Sequence, residues 1–199
     1  MKKFISALVF VMLILVNTNS FSYSSDPKIF IAELVDDATK TLSDKSVSKA
    51  DKAKKIETIA LENVDINAIA MYTLGSIRKT LDQGTLKKYQ ELFKKYFLKS
   101  LTSRLTDYSE NEFEVIDADQ KSETTTIVIS RIKESSSQPE LKIEWRIYTK
   151  DPTKPLIRDL RVEGLSIART QKEEFASILN SNNNDINILF FKLEEFINN

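Results

Sequence analysis

Asp159, Tyr148 and Glu163 are the residues of this chain whose type and setting could support acid–base chemistry. Asp159 stands in a segment rich in apolar residues, where burial would raise its pKa toward that of a working base. At the surface it would instead pair with Arg158 or Arg161. The residues that usually share such work are missing, because the 199-residue sequence contains no His and no Cys. That excludes Ser-His-Asp and Cys-His catalysis, Cys/His metal centres and disulfides. With Gly75, Gly84 and Gly164 as the only glycines, a glycine-rich phosphate loop is also excluded. Lys+Arg and Asp+Glu both number 29, so nothing electrostatic points to nucleic acid. A hydrophobic content of 41% and a charged content of 29% describe a globular chain with material for a sizeable core.

The elements that would position any site begin after a leader. Lys2 and Lys3 precede a nearly unbroken apolar run from Ile5 to Val16, followed by small and polar residues through Ser25. This is the layout of a secretory signal peptide, too short in its apolar part to span a bilayer. Ser20 and Ser22 place the cleavage after Ser22, giving a leader of residues 1–22 and one exported domain of residues 23–199.

Helical patterns come first in that domain. Asp26-Pro27 opens a helix with Phe30, Ile31, Leu34, Val35, Ala38 and Leu42 inward. A second helix spans about Ser48 to Asn63. A third is capped by Asp65 and stopped at Gly75. Asp82 caps a long helix to about Leu105 with the stripe Tyr89, Leu92, Phe93, Tyr96, Phe97, Leu101 and Leu105. Its other face carries Lys87, Lys88, Lys94, Lys95, Lys99 and Arg104, read as solvated.

Four strands are expected at Glu112–Asp117, Thr124–Lys133, Glu140–Lys150 and Leu156–Glu163, with a hairpin loop at Ser135–Pro139. In the third, Leu141, Ile143, Trp145 and Ile147 alternate with Lys142, Glu144, Arg146 and Tyr148, the pattern of a sheet with one dry face. Two helices, about Ala168–Leu179 and Ile186–Asn198, close the chain. The expected fold class is α+β: a curved antiparallel sheet of about four strands, with helices packed on one face and an apolar cavity enclosed between them.

Several segments carry a family resemblance. Val64-Asp65-Ile66-Asn67-Ala68-Ile69-Ala70 with Leu74-Gly75, the helix through Tyr89 and Phe93 to Tyr108-Ser109, and Phe113-Glu114-Val115 follow one another in order. Ile143-Glu144-Trp145-Arg146-Ile147, the run Ile157 to Ser166, and Phe175-Ala176-Ser177-Ile178-Leu179 complete the series. Together they resemble the soluble shuttle family of the Mla (maintenance of lipid asymmetry) pathway, also called the toluene-tolerance family. The chain departs from the family pattern at Ile77-Arg78, at Gln171-Lys172 and at Trp145.

The resemblance implies a periplasmic carrier, not an enzyme, that needs no cofactor. It would hold a glycerophospholipid by its acyl tails and exchange it between an outer-membrane lipoprotein–porin complex and an inner-membrane ABC transporter bearing an MCE-domain ring. Burial is worth ~0.8 kcal/mol per methylene, so a sixteen-carbon chain costs on the order of 12 kcal/mol to release into water. A carrier therefore needs a dry apolar lining and no nucleophile. The candidate lining is Leu74, Phe93, Phe97, Leu101, Ile143, Trp145, Ile147, Leu160, Val162, Phe175 and Ile178, with Arg146 and Lys172 as rim contacts for the headgroup. Trp145→Arg is expected to empty such a pocket without unfolding the chain. The competing readings are an exported enzyme using Asp159, Tyr148 or Glu163 as base, and a chaperone-like module taking a peptide in an apolar groove.

Overall fold

The computed structural model describes residues 23–105, 112–134 and 139–199, with the side chains of residues 104 and 105 left aside. The expected leader, the Tyr108-Ser109 pair, the side chains of Arg104 and Leu105, and residues 135–138 of the expected hairpin loop lie outside what it describes.

Helix starts fall where capping chemistry puts them. Asp26 accepts from the backbone N–H of Lys28 and Ile29 and Pro27 takes the first helical position of α1 (Pro27–Ser43). Ser48 caps α2 (Lys49–Asn63) through the N–H of Asp51, and Asp65 caps α3 (Ile66–Thr73) through that of Ala68. Gly75, with φ of 64°, supplies the left-handed residue that ends α3, and Arg78 Nη1 donates to the carbonyls of Met71 and Gly75 there. A short 3-10 turn, Gly75–Lys79, leads to Asp82, which caps α4 (Gln83–Leu105) through the Thr85 N–H at 2.9 Å. After the sheet come α5 (Ile167–Asn180), capped by Ser166, and α6 (Ile186–Asn198), capped by Asp185.

The sheet is antiparallel in the order β1-β2-β3-β4-β5. Its strands are β1 (Phe113–Ser122), β2 (Thr125–Ile132), β3 (Leu141–Tyr148), β4 (Leu156–Val162) and β5 (Leu165–Ser166). Among the described residues the sheet of about four strands gains a short fifth, because Glu163 and Gly164, with φ of 50° and 80°, turn the chain tightly enough for Leu165 to pair with Val162. Positive φ at both central residues is the hallmark of a tight type I′ hairpin. The first strand also outlasts its expected end at Asp117 by five residues, reaching Ser122, and accommodates register shifts near Ile116 and Lys121.

Two apolar cores form instead of one. The first lies among α3, α4, α5 and α6 and contains Ile69, Leu74, Tyr89, Phe93, Phe175, Leu189 and Leu193. The second lies between α1 and the sheet and contains Phe30, Ile31, Leu34, Val128, Ile147 and Ile157. Val64 packs against both. The lysine row on α4 is only partly a solvated face. Lys88 lies 4.6 Å over the Phe190 ring and Lys99 Nζ donates to the Ile197 carbonyl at 2.9 Å, both reaching α6. Among the described residues, no helix is long and apolar enough to cross a membrane.

Candidate functional site

Strand alternation and register define the face of the sheet that looks toward the helices. Ile147, Trp145 and Ile143 share one face of β3. Across β4, Ile147 pairs with Ile157, Trp145 with Leu160, and Ile143 with Val162. Across β2, the same residues pair with Thr126, Val128 and Ser130. The face is thus a continuous apolar track along β3 and β4, and α1 covers only the end of it nearest Ile147 and Ile157.

The eleven expected lining residues distribute over three environments. Leu74, Phe93 and Phe175 are buried in the helical core, with Phe97 and Ile178 packed against it. Phe93 sits at the centre of an aromatic cluster, its ring 5.9 Å from Tyr89, 6.4 Å from Phe97 and 6.3 Å from Phe175. Ile147 is fully buried in the second core and Trp145 packs on it. Ile143, Leu160, Val162 and Leu101 belong to neither core. Ile143 is nevertheless 8% exposed, while Leu160, Val162 and Leu101 are half-buried.

Trp145 is held more firmly than an apolar lining residue needs to be. Its indole N–H donates to Ser130 Oγ at 2.8 Å, and its ring meets Phe113 edge-on at 6.2 Å. Ser130 is completely buried, so this bond satisfies a polar atom that has no access to water. Sequence reasoning missed Ser130; the signal was its place in the alternation Thr126, Val128, Ser130, which sets it on the dry face opposite Ile143.

The expected rim residues part company. Lys172 on α5 lies 5.1 Å from the centre of the Tyr72 ring, on the helical side. Arg146 is exposed and alternates with Trp145 and Ile147, so it lies on the outer face of the sheet, across from Asp159 and away from the apolar track.

Two of the three candidate bases, Asp159 and Glu163, are engaged in structural bonds, and Tyr148 meets a guanidinium through its ring. Asp159 Oδ1 accepts from the N–H of Leu160 and Ala168, and Oδ2 accepts from Ser166 Oγ at 2.6 Å. It therefore fastens the start of α5 to β4. The expected surface pairing with Arg158 or Arg161 does not form. Arg158 turns to Asp65, with Nε at 2.8 Å and Nη2 at 2.7 Å from Oδ2, and Arg161 lies 3.7 Å from Glu144. Arg158 can do this because it is the extra residue at a register shift between Arg146↔Asp159 and Ile147↔Ile157. Its guanidinium also covers the Tyr148 ring at 3.2 Å. Glu163 accepts from the Lys142 N–H at 2.5 Å.

Two titratable groups show what burial does here. Burial pushes the Tyr89 hydroxyl well above the usual phenol range, opposed by its hydrogen bond with Thr73. Tyr23 rises for the same first reason, reinforced by its bond to the Asp37 carboxylate. Both stay protonated through the physiological range.

Two of the surface clefts among the described residues bear on the site. One of about 290 Å³ lies between α1 and β1 and is lined by Val35, Thr39, Phe113 and Val115 among others. The other, of about 220 Å³, lies at the junction of α2, α3 and α4 and is lined by Leu61, Asp65, Lys94 and Lys154 among others. Neither is lined by the expected lipid contacts, and both fall below the ~300 Å³ at which small-molecule pockets begin. The feature that the expected residues do create is the apolar track on the inner face of β3 and β4.

Comparison with known proteins adds a family and a fold. A family model described as MlaC protein matches residues 32–195. Among solved structures, the phospholipid-binding protein from Ralstonia solanacearum, determined in complex with a phospholipid, is similar with a TM-score of 0.69. The match covers 84% of this chain and 94% of that one at 16% identity, a likeness of fold. No curated protein sequence matches the chain.

Proposed function

The chain belongs to the MlaC protein family, and from that premise we propose that it is a non-enzymatic carrier that binds a glycerophospholipid by its acyl tails. One observation carries this reading: half-buried Leu160 and Val162, beside buried Ile143, lie on the helix-facing side of the sheet without joining either core. Aliphatic groups in that position offer acyl chains the dry contact that makes their removal from a bilayer affordable, at ~0.8 kcal/mol per methylene. The phospholipid in the similar Ralstonia solanacearum structure supports the same ligand class.

Leu101, Trp145 and Ile147 would extend the lining from either end, and Phe93, Phe97, Leu74, Phe175 and Ile178 would form its helical backing. Lys172 is the better placed of the two rim cations to meet a headgroup phosphate, since Arg146 faces outward. In the wider reading the leader, residues 1–22, is removed on export to the periplasm. The domain of residues 23–199 then moves lipid between an outer-membrane lipoprotein–porin complex and an inner-membrane ABC transporter with an MCE-domain ring, maintaining lipid asymmetry. Asp159 and Glu163 act as structural fasteners in this account, and Tyr148 as the ring on which Arg158 rests.

Native mass spectrometry of the secreted protein tests the proposal. The expected result is a mature chain beginning at Tyr23, with a co-purifying mass of an intact diacyl phospholipid. A protein that remains empty after exposure to phospholipid micelles refutes the carrier reading.

A further inference from the structure

We propose that Leu165 is a lipid-contacting residue, the outermost station of the apolar track, covered by acyl chain when the carrier is loaded. The inference rests on the carrier reading and extends its site to a residue outside the expected lining. Leu165 pairs directly with Val162, which pairs with Ile143, so the three side chains stand on one face of neighbouring strands. Along that row exposure rises from 8% at Ile143, through half-buried Val162, to 71% at Leu165.

Leu165 is also held rigidly. The hairpin that presents it places Glu163, a non-glycine residue, at φ of 50°. Such a conformation is uncommon and persists where surrounding bonds enforce it. They do so here from both sides. The Glu163 carboxylate and backbone N–H bond to the N–H and carbonyl of Lys142, at 2.5 and 3.0 Å. Beyond Leu165, Ser166 caps α5 while its hydroxyl donates to Asp159 at 2.6 Å. A strained turn fastened at both ends thus fixes a mostly exposed leucine in line with the track. An isolated exposed leucine needs no explanation; one held at the end of a half-buried apolar row gives an acyl chain leaving the interior a further apolar contact.

The absence of cysteine from the chain makes the test direct. A Leu165→Cys variant carries a single thiol, and so does a Phe191→Cys control, placed on α6 at a residue that is 58% exposed. Each is reacted with a maleimide, once loaded with phosphatidylethanolamine and once stripped by detergent exchange, with loading verified by native mass spectrometry. The expected result is at least tenfold slower labelling of loaded Leu165→Cys than of the stripped form, with the control labelled equally in both. Equal rates for the two forms of Leu165→Cys, in protein shown to carry lipid, overturn this inference and leave the carrier reading intact. A wild-type protein that takes up no lipid defeats both together.

Discussion

The helical core and the sheet core solve the burial problem to different degrees. Among α3, α4, α5 and α6, apolar stripes meet on every side, and aromatic rings from α4, α5 and α6 interlock around Phe93 and Tyr96. The one polar pair inside, Thr73 and Tyr89, satisfies itself at 2.9 Å. The sheet core is covered mainly by α1, whose Phe30, Ile31 and Leu34 reach Val128, Ile147 and Ile157 with Ile59 of α2 beside them, while α3 and α5 approach the sheet at β4. A sheet's apolar face is as wide as its strands are many, whereas one amphipathic helix offers one stripe. The lesson is that stability and spare apolar surface can be housed separately: a saturated core tolerates no vacancy, and an undercovered sheet face leaves apolar surface for the proposed ligand.

The largest effect should come from the saturated side. Phe93→Ala removes a fully enclosed ring, and such truncations cost about 3–5 kcal/mol. Urea unfolding should show a loss of that size. A loss under about 1 kcal/mol would mean that the helical core is looser than its contacts indicate.

A double substitution on the other side, Leu160→Asp with Val162→Asp, should reverse the pattern. Lipid co-purification, read by native mass spectrometry, should be lost, while the unfolding midpoint moves less than for Phe93→Ala. Full loading of this variant would remove the track from the binding site. The structure also revises the expectation for Trp145. Trp145→Arg breaks the 2.8 Å indole bond to buried Ser130, leaving its hydroxyl only the longer 3.4 Å bond to the Ile143 carbonyl, and a lost hydrogen bond of this kind costs about 1 kcal/mol. That variant should lose stability as well as lipid, and is the poorer probe.

The smallest expected effect is a pH dependence at the start of α4. Hydrogen bonds from the Thr85 side chain and backbone hold the Asp82 carboxyl below the usual carboxylate range. A group depressed in the folded state stabilises fully above its unfolded pKa, near 4, and loses that contribution as pH falls through the folded value. Thermal unfolding of the wild type should therefore fall more steeply below pH 4 than that of Asp82→Asn. Parallel curves would show that the cap adds no pH-dependent stability.

Much of the fold was legible from local chemistry. Asp26-Pro27, Asp65, Asp82 and Asp185 announce helix starts because a carboxylate beside unpaired N–H groups is recognisable without tertiary context. Alternation along Leu141–Tyr148 likewise states which side chains share the dry face, since the strand period is two whatever packs against it. The fifth strand was not legible, because Glu163 carries no inherent preference for positive φ and the turn depends on its bonds to Lys142.

The candidate site divides along the same line. Residue type and periodicity by themselves determined which side chains are apolar and which face of an element they occupy, because those properties are local. They could not assign Phe93 and Phe175 to a closed core while leaving Leu160 and Val162 on an open track. That depends on which helix lands where, and a stripe reads the same whether it meets a neighbour or a ligand. Nor could they direct Arg158 to Asp65, 93 positions away in sequence, in place of the adjacent Asp159. Only the tertiary structure, through the register shift that re-aims one guanidinium and the incomplete helical cover of one sheet face, decided those points.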